Sequence, residues 1–272
     1  MKKNQIKHIQ LKCRKIRHKV LELCHKKGGH VSTSFSCVEI IASIYYSGFF
    51  NISKKKIKDK KRDIFVLSKG HGAETLYAIL SDLNFFPKDW INKNFRDNDC
   101  KLGGHADAKV PGVELSTGSL GHGLGYIAGI ALSDKIDKKN RKHIVLLGDA
   151  ECTAGSVWEA ASFISLKKLS SVLAIVDLNK IGATDFSDNF MNTSQLIYQW
   201  KSFGWNVIMI KDGNNLNQIL KSFKKAEKSK KPSVLIANTV KGKGAKVLEN
   251  SPVWHSRPVT EDIYKIAKKE LD

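Results

Sequence analysis

Short, nearly continuous apolar runs rich in β-branched residues recur along this chain at Ile64–Leu67, Ile144–Leu147, Val172–Val176, Val207–Ile210 and Val234–Ala237. None alternates polar with apolar positions, which is the pattern of strands covered on both faces. Helical periodicities fill the intervals, at Ser36–Ser47, Ala73–Leu83, Leu120–Ile136, Val157–Lys168, Ser194–Phe203 and Leu216–Lys228. A closing helix starts near Thr260, with Glu261 and Asp262 in its first turn, where the helix dipole favours acids. Such alternation predicts an α/β fold of three layers, a mostly parallel sheet with helices on both faces. Apolar residues make up 42 % of the 272, enough for a sizeable core. No repeat or linker interrupts the pattern, so residues 1–272 are read as a single domain. The stretch Phe85–Val113, rich in Asn, Asp, Lys and Gly, is a long excursion of the kind that often carries function.

Charge is the second constraint. Lys and Arg number 46 against 26 Asp and Glu, a formal charge of +20. The first 27 residues hold one acid, Glu22, and their apolar residues Ile6, Ile9, Cys13, Ile16, Val20 and Leu23 mark one helical face. They are read as a packed helix with a solvated Lys face, not a transit peptide, because this helix runs into a motif of the site. A second basic cluster, Ser53 to Arg62, has no interleaved aromatics and no nucleic-acid signature. Nucleic-acid binding is therefore not expected; the charge suits solubility and an acidic partner. The five cysteines, Cys13, Cys24, Cys37, Cys100 and Cys152, form no C-x-x-C pair, which argues against a disulfide scaffold or structural zinc. A reducing, cytoplasmic setting is expected. No apolar run reaches the roughly 18 residues of a membrane span.

In parallel α/β sheets the site lies outside the carboxyl ends of the strands. Strand Ile144–Leu147 runs into Gly148-Asp149-Ala150-Glu151, and strand Val172–Val176 into Asp177-Leu178-Asn179-Lys180. A carboxylate and an amide oxygen at adjacent strand ends are hard ligands suited to Mg²⁺ or Ca²⁺ with a diphosphate. Strand Ile64–Leu67 runs into Ser68-Lys69-Gly70-His71-Gly72. His30, His105 and His122 also neighbour glycines, and His255 lies in Trp254-His255-Ser256. Imidazoles so placed can donate to phosphate or sugar oxygens and relay protons near neutral pH. Gly118, Gly121, Gly123, Gly125 and Gly129 are expected to bare one helical surface, for a ligand or another helix.

Gly148-Asp149-Ala150 followed by Asn179 resembles the thiamine diphosphate signature, usually Gly-Asp-Gly with an Asn some thirty residues on. The segments DIFVLSKGHGAETLYAIL, LGGHADAKVPGVELSTGSLGHGLGYIAGIAL, ECTAGSVWEAASF, LSSVLAIVDLNKIG, NTVKGKG and VWHSRPVTEDIY resemble transketolase, in order, from about Gly28 to the C-terminus. The similarity is strongest to split transketolases, whose amino-terminal half is a separate subunit. The resemblance implies a thiamine diphosphate-binding fold and a ketol transfer between sugar phosphates. It implies that Asp149, Asn179 and the carbonyl of Ile181 hold the Mg²⁺ (or Ca²⁺). His71, Gly118, Leu120, the run Gly148, Asp149, Ala150 and Glu151, with Asn179, Ile181 and His255, would bind thiamine diphosphate. His30, His105 and His255 would line the substrate channel as the catalytic histidines. Lys69, Lys180, Lys241 and Lys243 stand at motif positions and are expected to steer the anionic cofactor and sugar phosphates.

Several residues depart from the family pattern. Ala150 replaces the second Gly of the signature, Ala154 a Glu, and His122 a Gln, while IGATDFS follows the Asn in place of an IQSDG-type sequence. In the family the missing Glu joins a carboxylate network between two active sites; Glu159 is kept. These changes bear on substrate choice and on communication between sites. The family's activating glutamate lies in a pyrimidine-binding domain that 272 residues do not include. The chain is therefore expected to need a separate C-terminal transketolase subunit, to dimerise with itself through its Gly-rich helices, and to form an α₂β₂ assembly. The alternatives are a 2-oxo acid dehydrogenase α subunit, against which the Lys-Gly-Lys-Gly and Trp-His-Ser-Arg-Pro motifs argue, and a degenerate, non-catalytic subunit, which Ala150 and Ala154 suggest.

Overall fold

A computed structural model describes residues 3–98 and 101–272; Cys100 lies outside the described residues. The apolar runs form five parallel strands among the described residues: β1 (Ile64–Leu67), β2 (His143–Gly148), β3 (Val172–Leu178), β4 (Asn206–Ile210) and β5 (Ser233–Asn238). Their order is β1-β2-β3-β5-β4. β5 thus enters between two strands made before it, and β4 becomes an edge with Met209 partly exposed.

Successive strand residues point to opposite faces, and each face has its own core. Phe65, Leu67, Ile144, Leu146, Leu173, Ile175 and Leu235 pack beneath α1 (Lys3–Lys27), α2 (Val31–Ser36), α3 (Val38–Tyr46), α4 (Ala73–Asp82) and α9 (Leu216–Glu227). Val66, Val145, Leu147, Ala174, Val176, Val234 and Ile236 face α6 (Gly123–Ile136), α7 (Gly155–Leu166) and α8 (Leu196–Ser202). This is why the runs of β1, β2, β3 and β5 are continuous: neither face meets water, whereas β4 is half-buried at the edge. The helix α10 (Glu261–Leu271) packs on α1, and α5 (Trp90–Lys93) is a short turn within the 85–113 excursion.

Two expected helices differ in the structure. The helix expected over Ser36–Ser47 forms as α3 but starts at Val38, after a break at Cys37 that separates it from the fully buried Val31–Ser36 helix. The expected start of α6 at Leu120 moves to Gly123, because Gly121 takes a φ of 90° that no right-handed helix accommodates. The N-terminal pattern does form one packed helix, burying Ile9, Cys13, Ile16, Val20 and Leu23. The basic cluster Ser53–Arg62 leads directly into β1 and so lies at the amino edge of the sheet, opposite the carboxyl ends of the strands. Arg62 there pairs with Glu114.

Candidate active site

β2 and β3 are neighbours in register, Gly148 opposite Asp177, so Asp149 and Asn179 leave the sheet side by side. Both are buried and open on one cleft of about 270 Å³. Its wall also includes His71, Gly118, Leu120, Ile181, Lys241 and His255. The Asp149 carboxylate accepts from the backbone N–H groups of Ala150 (2.8 Å) and Lys180 (2.6 Å) and from Ser187 Oγ (3.1 Å). Burial, together with the nearby Asp177 charge, pushes its carboxyl up to about 6. A cation beside it would relieve that cost. Asn179 Oδ1 accepts from Ile181 N–H (3.1 Å), while its Nδ2 donates to Asp177 Oδ2 (3.1 Å).

Asp177 is the hub behind this wall. It is fully buried and also accepts from Ser36 Oγ (2.6 Å), Thr239 Oγ1 and the Lys69 ammonium. Burial opposes its charge, but Lys69 and these hydrogen bonds hold the carboxyl below the usual carboxylate range. Lys69, expected from its motif position to steer anions, lines the cleft with its charge paired to Asp177. It is buried, raised above the usual lysine range by Asp177 despite desolvation, and its other bonds go to Thr33 O (3.2 Å) and Ser36 Oγ (3.3 Å). Lys180 is exposed, and Lys243 lies 3.7 Å from Glu249.

Lys241 also lines the cleft. It is buried, and its Nζ donates to the carbonyls of Ile181 (2.9 Å) and Gly182 (2.7 Å) and to His255 Nδ1 (3.1 Å). Burial and the Lys69 charge bring its amine down to about 7. Nothing in the Lys-Gly-Lys-Gly spacing distinguishes the lysine that turns inward from the one that stays outside.

The histidines converge as expected. The ring of His30 lies 4.8 Å from that of His71, 5.1 Å from His105 and 5.6 Å from His255, centroid to centroid. Burial, with mutual repulsion, keeps three of them neutral: His71 is lowered to about 4, His255, also beside Lys241, to about 3, and His105 is lowered too. Gly118 packs against this cluster with a φ of 147°, and a Cβ there would come within 3.0 Å of the His105 ring. Gly70 makes the matching approach from the β1 side; its Cβ would meet the Gly118 N at 2.7 Å. His122 does not join. It is exposed and lies with Gly125, Gly129, Glu159 and Phe163 on an open surface of α6 and α7. The glycines do not form one bare stripe either: Gly125 and Gly129 face open space, but Gly123 is packed on Ser68.

Glu151 is buried in the cleft wall, and both its oxygens are engaged. They accept from Gly121 N–H (2.9 Å), Gly148 N–H (3.0 Å) and Ser68 Oγ. It thereby ties the β1 end, the Gly-rich segment and the β2 end together.

This architecture, a sheet-edge cleft with oxygen donors on one wall and neutral imidazoles on the other, belongs to a known class. Residues 10–272 match the thiamine diphosphate-binding domain of transketolase, and the chain belongs to the transketolase family, whose members are transferases. Among its relatives is an apulose-4-phosphate transketolase subunit of Phocaeicola vulgatus, 34 % identical over 269 residues and covering 98 % of this chain and 95 % of that one. The 6-deoxy-6-sulfo-D-fructose transketolase subunit SqwG of a Clostridium species is 34 % identical, covering 97 % and 96 %. The transketolase structure from Campylobacter jejuni superposes with a TM-score of 0.87 at 27 % identity, covering all of this chain but 43 % of that longer one. The chain thus corresponds in length to these separate subunits and to less than half of that solved transketolase.

Proposed function

We propose that residues 1–272 form one unit, the diphosphate-anchoring subunit of a two-chain transketolase, moving a two-carbon ketol unit from a ketose to an aldose. The observation that carries this is the meeting of Asp149 and Asn179 with His71, Gly118, Lys241 and His255 on a single cleft. The donor set fits a hard divalent cation: an amide oxygen, the Ile181 carbonyl and a carboxylate whose charge burial disfavours. Asp149, Asn179 and Ile181 would hold Mg²⁺ or Ca²⁺, the latter residue in place of the Lys241 hydrogen bond to the same carbonyl. Lys241, His71 and the backbone at Gly118 and Ala150 would face the diphosphate. Ala150 works through its N–H, so its methyl group costs the site little.

Thiamine diphosphate, when bound, supplies the carbanion chemistry that cleaves and forms carbon–carbon bonds. The protein then has two tasks. The anionic anchor must be held, which the cation ligands and Lys241 do. Protons must move between hydroxyls, a task for His30, His105 and His255, of which burial keeps His105 and His255 as neutral bases near pH 7. No nucleophilic side chain is required.

The partner is a pyrimidine-domain chain, and the Gly125–Gly129 face is where a second copy of this chain packs, giving an α₂β₂ assembly. The relatives named for apulose 4-phosphate and 6-deoxy-6-sulfo-D-fructose favour a specialised anionic ketose as donor. We place the enzyme in the cytoplasm; the described cysteines are all free, and no described helix is long and apolar enough to cross a membrane.

The test is reconstitution. The chain, mixed with its partner, thiamine diphosphate and Mg²⁺, should transfer two carbons from a ketose phosphate to ribose 5-phosphate, and neither chain should do so alone. Failure of the cofactor and metal to bind the assembly in a calorimeter would overturn the reading.

A further inference from the structure

Glu74 stands in the first turn of α4, fully buried against the histidine cluster, and no motif gives it a role. Its Oε1 accepts from the His30 backbone N–H (2.9 Å) and its Oε2 from Ser34 Oγ (2.7 Å). The same Oε1 lies 3.6 Å from His30 Nδ1, a buried nitrogen with no hydrogen-bond partner among the described residues. Gly29 permits this approach, since a Cβ there would sit 2.5 Å from Oε1. Burial disfavours the Glu74 charge, yet contacts with His30 and Ser34 hold the carboxyl below its ordinary range.

An ionised carboxylate can only accept. The imidazole nitrogen turned toward it is therefore favoured as N–H, and a neutral ring has a single proton to place. With the proton on Nδ1, Nε2 keeps its lone pair. That atom lies on the opposite edge of a ring whose neighbours are His71, His105 and His255.

We propose that Glu74 is a positioning residue that fixes His30 in the Nδ1–H tautomer, so that Nε2 faces the cleft as a proton acceptor for a substrate hydroxyl. In the step this allows, the substrate O–H bond breaks and an N–H bond forms at Nε2, with the electron pair left on the substrate oxygen. The resulting imidazolium carries its second N–H toward Glu74, whose charge balances it. The return of the proton to a sugar oxygen restores the neutral ring. The catalytic part of this inference rests on the ketol-transfer reading; the tautomer does not.

Two-bond ¹⁵N–¹H correlation spectra of the ¹⁵N-histidine-labelled chain test it, with His30 assigned by the loss of its signals in His30→Asn. The expected result is a protonated Nδ1 and an unprotonated Nε2. In Glu74→Gln the amide can donate to Nδ1, and the pattern should reverse. In the reconstituted two-chain enzyme the same variant should lose roughly 10²-fold in kcat with little change in KM. A His30 proton on Nε2 in the unsubstituted chain overturns the proposal, and that spectrum decides the matter even if Glu74→Gln fails to fold. A reversed tautomer with unchanged kcat in an active assembly overturns the positioning role. If the expected tautomers appear but the assembly transfers no ketol unit, the Glu74 assignment is upheld and the transketolase reading falls.

Discussion

Asp177 sets the direction in which Asn179 faces: its carboxylate takes the amide Nδ2, which leaves Oδ1 as the group available to a cation. Asp177→Asn would remove that preference and leave Lys69 buried without its counter-ion. Breaking one side of a buried ion pair costs about 3 kcal/mol or more. We expect a lower midpoint in urea denaturation together with weaker metal–cofactor binding by calorimetry. Ser36→Ala, which deletes the hydroxyl's bonds to Asp177, Thr33 and Lys69 but no charge, should lose about 1–3 kcal/mol and keep most of the binding. Gly118→Ala is a second local test. It adds strain at a φ reserved for glycine and a contact with the His105 ring, so cofactor affinity should fall by an order of magnitude or more. Asp149, Asn179 and His71 were legible from position, because a parallel sheet gathers the residues at the carboxyl ends of its strands, and His30, His105 and His255 were legible from their glycine neighbours and motifs. Asp177, Lys69 and Glu74 were not. Their meaning lies in partners far along the chain, Lys69 and Asp177 being 108 positions apart, and no local pattern encodes such a pairing.

Among the elements, α6 and α7 present the clearest unused surface. Gly125 and Gly129 have open space where side chains would project, and Tyr126, Phe163 and Leu166 are exposed beside them. A large charged residue at position 125 would therefore leave the monomer's packing undisturbed. Gly125→Arg should retain its circular dichroism spectrum while shifting sedimentation from a dimeric to a monomeric species. Equal sedimentation of the two proteins would place self-association elsewhere. All five strands could be located in the sequence to within a residue or two, since burial on both faces leaves no polar interruption to confuse the pattern. The helix ends were less legible. The break at Cys37 and the late start of α6 are set by loops shaped around the site, such as the turn at Gly121, and not by helix periodicity.

For the molecule as a whole, the buried histidines link the site to acid stability. His71 and His255 remain neutral in the folded state down to about 4 and about 3, whereas in the unfolded chain they titrate near 6.5. Below about pH 6.5 the unfolded state takes up protons that the native state refuses, so the stability these rings contribute is present above that pH and lost as it falls toward 4. Urea midpoints should decline over that window, and His255→Asn should make the decline shallower.

The sheet order has a consequence for synthesis. β5 sits at the interior of the sheet, between β3 and β4, yet its residues, Ser233–Asn238, come last of the five strands. Until the ribosome releases them, β3 and β4 have nothing to hold them together, and two backbone edges and their apolar faces stay open. A nascent chain halted before Ser233 should therefore be sensitive to protease and bound by chaperones.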